Sequence, residues 1–332
     1  MHANRHTCRL LIRKEGAVEE RYEQISLFGQ DQPQSPKDAL PADPRDPVTV
    51  TWNLWHGCSR KVSPGCLHCY MYCRDEEYGK DPTNVHKTAS FNLPVRRYRT
   101  GKYKGLYRIP SGSTIFTCFT SDFFINAADA WRPEAWDMMR ERSDCTFFMI
   151  TKRPERIAQS LPEDWGTGWD HVHISCTCEN QYWTDRRLPV FLELPIPHKS
   201  ITHEPMLEPI NIRKYLKKYS NARNKDGSRV LESVSCGGES GPEARICDYG
   251  WVLDSHLQCV EYGVPFSYHQ TGAKLRRNVP DGQGGYIQRI FQIPREHQHS
   301  QAKKAGLDYG GGIEVPMCLA TDDVPCTKEG IS

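Results

Sequence analysis

The chain has 332 residues, enough for one large or two ordinary domains with a sizeable core, and its 38% hydrophobic and 25% charged content leaves room for long polar loops. Its formal net charge of +2 excludes bulk electrostatics as the announcement of a nucleic-acid partner, so such a partner has to be read locally. The start, MHANRHTCRLLIRKEG, has no apolar signal region, and no run is long and apolar enough for a membrane span, so a cytoplasmic protein with no membrane partner is expected.

In chain order, residues 1–46 read as an arm or linker, because GQDQPQSPKDALPADPRDP lacks apolar periodicity. From 47 to 294 short β-rich runs recur at 48–52, 113–121, 145–151, 171–178, 198–204, 229–238 and 265–272. Helical patterns lie between several of them, at 131–142, 153–161 and 249–263, the last ending at Gly263 as a C-cap. Strands alternating with helices predict an α/β fold built as a parallel (β/α) barrel, closed or partial. The tail at 295–332, with its REHQHSQAKKAG run, is expected to be irregular.

Chemically capable residues gather where these strands end: Ser121-Asp122, Thr151-Lys152-Arg153, Glu179-Asn180, His203-Glu204, Gly237-Gly238-Glu239-Ser240 and His269-Gln270. In a parallel barrel such ends converge on one mouth, where active sites lie. Any one polar strand end is ordinary; six together point to a site.

The central feature is the loop at 53–73, which follows the first strand. The chain has 14 cysteines, and four of them fall here, at 58, 66, 69 and 73. Thiolates are soft ligands for iron–sulfur clusters or zinc, and Gly57 and Pro64-Gly65 supply turns to wrap a metal centre. Cys58, Cys66 and Cys69 are the preferred ligands because Gly57-Cys58 sits at the strand exit; Cys66, Cys69 and Cys73 also satisfy the spacing. A four-cysteine zinc site is the competing reading, although zinc ribbons usually carry two CxxC knuckles and this loop has one. Cys118, Cys176 and Cys236 lie in apolar runs and read as small buried hydrophobes. The segment 96–108, with six basic residues among Tyr98, Tyr103 and Tyr107, is either an exposed hairpin or a grip for nucleic acid.

The loop with Cys66, Cys69 and Tyr70 after a first barrel strand resembles the radical S-adenosylmethionine enzymes. More closely, TWNLWHGCSRKVSPGCLHCY, FTSDFF, TKRPER, SCTCENQ, THEPMLEPI, GGESGPEAR and PFSYHQTG, in this order, resemble a phage-associated three-cysteine-motif family that is radical-SAM-like. The resemblance implies a [4Fe-4S] cluster on Cys58, Cys66 and Cys69. Its open iron would take S-adenosyl-L-methionine and generate a 5′-deoxyadenosyl radical, with flavodoxin or ferredoxin as reductant. Tyr70 would pack near the adenine. Cofactor contacts are expected from Ser121 and Asp122 to the amino group, from Lys152 or Arg153 to the carboxylate, and from Ser175, Glu179 and Asn180 to the ribose. Glu204 and Glu239 are the candidates for substrate binding or proton transfer, and nucleic acid or a nucleotide is the expected substrate. The chain departs from the superfamily's usual spacing: its first cysteine gap is seven residues instead of three. The alternative is a nucleic-acid-binding or interaction protein with a structural zinc or cluster and no turnover.

Overall fold

The computed structural model describes residues 8–14, 17–23 and 45–311. Its strands are β1 (Cys8–Lys14), β2 (Ala17–Glu23), β3 (Thr49–Trp52), β4 (Trp55–His56), β5 (His86–Lys87), β6 (Thr114–Thr117), β7 (Thr146–Thr151), β8 (Val172–Thr177), β9 (His198–His203), β10 (Leu231–Gly237), β11 (Cys247–Asp248), β12 (Phe266–Gln270), β13 (Lys274–Pro280) and β14 (Tyr286–Gln292). Its helices are α1 (Tyr70–Glu77), α2 (Arg132–Glu141), α3 (Gln181–Glu193), α4 (Arg213–Tyr219), α5 (Tyr249–Glu261) and α6 (Arg295–Lys304). None is long and apolar enough to cross a membrane.

Seven strands form one curled sheet in the order β12-β10-β9-β8-β7-β6-β3, every pairing parallel, which makes a half-barrel. These are the seven strands expected from the apolar runs. The barrel is partial, and β3 and β12 remain its edges. One face carries Ile115, Phe147, Met149, Ile174, Cys176, Ile201, Val234 and Cys236, all buried, with α3 against β8 and α5 against β10. Burying that continuous apolar face supplies the main drive for the sheet. The other face is the inner one and is largely hydroxylated. Ser175 Oγ lies 2.7 Å from Thr202 Oγ1, and Ser233 Oγ donates to Ser200 Oγ at 3.1 Å.

A second sheet, β11-β13-β14-β1-β2, corrects two expectations. The N-terminal segment is not a bare arm: β1 pairs antiparallel with both β2 and β14, completing backbone hydrogen bonds the β13–β14 hairpin would otherwise leave open. The C-terminal segment is not irregular throughout. Helix α6 packs on β12, and Tyr309 bridges back to Phe266. The remaining parts of the two extensions, at 1–7, 15–16, 24–44 and 312–332, lie outside the described residues.

The helix expected over 153–161 is instead two short 3-10 turns, Pro154–Arg156 and Ala158–Ser160. Arg156 donates to Phe124 O and Asp129, and Arg153 pairs with Asp122, so this segment is tied along the preceding loop. Helix α3 escapes the sequence patterns because Pro189 interrupts it, and Asn180 caps its start through Trp183 N at 2.9 Å. The 96–108 segment does turn back on itself, with Arg97 bridged to Tyr107. Its cations stack on its own tyrosines, Arg97 over Tyr107 at 3.7 Å and Lys102 over Tyr103 at 5.3 Å.

Gly238 is where the end of β10 crosses the turn after β12. A Cβ there would lie 2.3 Å from Thr271 O and 2.8 Å from Gly272 Cα, so backbone would have to move. Gly238→Ala is expected to lower stability by about 3 kcal/mol, as overpacking against backbone does. A thermal melt followed by circular dichroism checks this, and an unchanged midpoint would contradict it.

Candidate metal centre

The cysteine loop begins where β3 ends. Asn53 turns the chain over the sheet edge, its Oδ1 accepting the backbone N–H groups of Phe119 (2.8 Å) and Thr120 (3.1 Å) just past β6. Gly57 follows at φ +92, and a Cβ there would meet Asn84 O at 2.4 Å, so only glycine fits the turn that presents Cys58. Cys58 N–H then donates to Pro82 O at 2.9 Å. A 3-10 turn, Pro64–Cys66, leads to Cys69, which starts α1.

Tyr72, on α1, lies within electrostatic reach of the thiols of Cys58, Cys66 and Cys69. Burial pushes the Tyr72 phenol up to about 12, and charge on Cys58, Cys69 and Cys66 adds to the shift. Tyr72 donates its hydroxyl to Cys58 O, closing the loop on α1. The Arg153 guanidinium reaches Cys58 Sγ at 3.6 Å and is itself oriented by Asp122 at 3.5 Å. Burial holds the Cys58 thiol above its ordinary value, with Arg153 opposing. Cys73 is exposed and lines the larger of two neighbouring cavities, while Cys69 lines the smaller one.

Three thiolates on one tetrahedral zinc sit about 3.8 Å apart, from bonds of about 2.3 Å. The sulfurs of Cys58, Cys66 and Cys69 do not all lie within 4.8 Å of one another. Their soft thiol chemistry suits an iron–sulfur cluster or zinc.

Two buried carboxylates clamp the turn between Cys58 and Cys66. Glu179 Oε1 accepts Gly65 N–H at 3.3 Å, and its other oxygen binds Arg187 at 2.5 Å. Burial works to raise Glu179, but Arg187 and Lys152 outweigh it and hold the carboxyl below its ordinary value. Glu239 holds Arg245 through both oxygens, at 2.7 and 3.0 Å, and Arg245 donates to Pro64 O at 2.8 Å. Both carboxylates therefore position the cysteine loop.

Behind the loop, at the C-terminal mouth of the half-barrel, lies a cavity of about 270 Å³. Cys69, Tyr70, Ser121, Lys152, Glu204 and Glu239 line it, so six of the twelve residues singled out from sequence meet there. A larger cavity of about 680 Å³ shares His68, Tyr70 and Ser240 as a wall. Lys152 Nζ forms no ion pair among the described residues, and Thr177 Oγ1 is buried beside the smaller cavity with no hydrogen-bond partner. Glu204 faces the same space, its carboxylate 3.0 Å from His269 Nδ1. Gly237 leaves room for Glu204, whose Cδ a Cβ there would approach to 2.9 Å. Cys118 ends β6 on this wall at φ 66, a left-handed conformation costly for a residue other than glycine.

Four expected cofactor contacts have other partners. Asp122 is buried under Thr151 Oγ1, Lys152 N and Arg153. Ser175 is fully buried against Thr202, Asn180 is a helix cap, and Glu179 serves the loop and Arg187. Ser121 lies at the cavity but gives its hydroxyl to Gly57 O. Glu239 reaches the cavity wall, and both of its oxygens are held by Arg245. Arg187, Arg245, Tyr72 and Thr177 escaped the sequence reading. Arg245 stands 181 residues from Pro64, and no local pattern links them.

No curated protein and no solved structure matches the chain. A family model does match, over residues 47–314, which takes in the half-barrel, the cysteine loop and both clamping arginines. The chain therefore belongs to the family described as "protein of unknown function (DUF5131)".

Proposed function

We propose that this protein is a radical S-adenosylmethionine enzyme acting on nucleic acid or a nucleotide. One observation carries the reading: the loop bearing Cys58, Cys66 and Cys69 leaves the first strand of a parallel half-barrel at its C-terminal mouth, with Cys69 lining the cavity there. Cys58, Cys66 and Cys69 would hold a [4Fe-4S] cluster. When bound, the cluster and S-adenosylmethionine supply reductive cleavage of the sulfonium, chemistry that belongs to the cofactors.

The chain's own residues orient and enclose. Lys152 offers a cation to the cofactor carboxylate, and Thr177 Oγ1 offers an unused hydrogen bond. Tyr70, fixed by its hydroxyl to Phe119 O, gives an aromatic wall common to both cavities. Glu204 and His269 form a carboxylate–imidazole pair at the mouth, able to hold or move a proton at Glu204 Oε2. The larger cavity carries three cations, Arg74, Lys274 and Arg295, against two carboxylates, Glu77 and Glu243, a modest positive excess that an anionic substrate would use.

Anaerobic purification followed by iron, sulfide and zinc analysis tests the reading. A brown protein with about four irons per chain, releasing 5′-deoxyadenosine when reduced with S-adenosylmethionine, is the expected result. A colourless protein with stoichiometric zinc would refute it and leave a structural-metal interaction protein.

A further inference from the structure

At the opposite end of the half-barrel's inner face, His173, His198 and Glu232 gather their donor atoms within 4.8 Å of one another. They open three adjacent strands. His173 and His198 are direct register partners on β8 and β9. Their rings stack, with centroids 4.2 Å apart and planes 14° apart.

Glu232 joins them through a backbone device. On β10, Leu231 pairs with Lys199 and Ser233 with Ser200, so Glu232 is an extra residue at a bulge. In an unbroken strand Glu232 would point away from Ser233, to the apolar face. The bulge re-aims it onto the histidine side, a common use of bulges at functional sites. Its two oxygens then lie 2.8 Å from His173 Nδ1 and 2.7 Å from His198 Nδ1.

We propose that His173, His198 and Glu232 form a second metal site, for a first-row divalent cation of the zinc class, independent of the cysteine centre. Two imidazoles and one carboxylate are a borderline-soft donor set of the type zinc and its neighbours take. An ion with bonds of about 2.0–2.1 Å would hold the donors about 3.3 Å apart, which lengthens each His–Glu contact by roughly half an ångström and requires the two stacked rings to rotate so that their in-plane lone pairs converge. The three side chains are 23%, 9% and 27% exposed, so an ion can enter without unfolding the strands. Asp170 and Asp226 add negative field at His198. The site is about 13 Å from the mouth, judged from the four residue steps along β9 from His198 to Thr202. Its strands are those that carry Thr177 and Glu179, so a bound ion would brace the far end of the same scaffold.

The test uses the full chain carrying Cys58→Ala, Cys66→Ala and Cys69→Ala, so that sulfur ligation at the loop is removed. Titration with Co2+ should show one saturable ion with nitrogen/oxygen-type visible bands, displaced by Zn2+. His198→Ala and the near-isosteric Glu232→Gln should each weaken it by about 100-fold, at least the loss typical of disturbing a metal site. In the parent chain, His198→Ala should lower total Co2+ by one ion, a readout that stands even if the triple variant folds poorly. Absence of saturable binding, or binding unchanged by both substitutions, would overturn the proposal and leave an ion-paired histidine couple. Failure of the cluster experiment leaves this one untouched, because the two centres share no residue.

Discussion

Glu179→Gln is expected to lower the stability of the chain by about 3–5 kcal/mol, the range for breaking a buried ion pair from one side. Glu179 is wholly buried and Arg187 nearly so. Arg187 has one other hydrogen bond, from Nη1 to Thr177 O, while its Nε and Nη2 already lack partners. Glutamine keeps the shape and removes the charge, so the guanidinium stays buried with nothing to neutralise it. A thermal or urea melt measures the loss. The double replacement Glu179→Leu with Arg187→Met is expected to recover most of it, because no charge remains to desolvate. Recovery should not extend to the metal centre: Gly65 N–H still lacks its acceptor, and the turn before Cys66 loses one of its two clamps. A stable double variant with undiminished iron would show that Glu179 is only a structural ion-pair member.

Replacing Cys58, Cys66 or Cys69 with Ala should abolish the cluster, from about four irons per chain to less than one, whereas Cys73→Ala should retain it. The contrast follows from placement. Cys58, Cys66 and Cys69 are the proposed ligands, while Cys73 is exposed, lies along α1 and faces the larger cavity. Iron and sulfide analysis of anaerobically reconstituted protein reads the difference. Equal losses for Cys73→Ala and Cys58→Ala would place all four thiols on one centre and favour a closed four-cysteine site. Arg153→Met adds a graded case, removing the guanidinium 3.6 Å from Cys58 Sγ while keeping every ligand. It should weaken cluster retention without eliminating it.

The seven strands of the half-barrel were legible because each is a short run of branched and aromatic residues, and burying one whole face demands that composition. The cysteine loop was legible because its thiols and turn residues are neighbours in the chain. The second sheet was not, since its strands, such as AVEERYE and KLRRNVP, are too charged to show a buried face. Its pairing comes from backbone groups that β14 offers to β1. The roles of the polar residues were legible only in part. Glu179, Glu239 and Asp122 stood out in the sequence as strand-end groups, and they pair with Arg187, Arg245 and Arg153, two of which sequence reasoning passed over. A carboxylate reads the same in sequence whether it faces a ligand or a buried guanidinium. What distinguishes the two is the electrostatic cost of burying an unpaired charge, and that cost depends on neighbours delivered by the fold. By itself the sequence determined the strand rhythm and the thiol loop, both properties of adjacent residues. The tertiary structure alone decided which charges became clamps, and that a bulge in β10 would bring Glu232 to two histidines, because those relations join residues far apart in the chain.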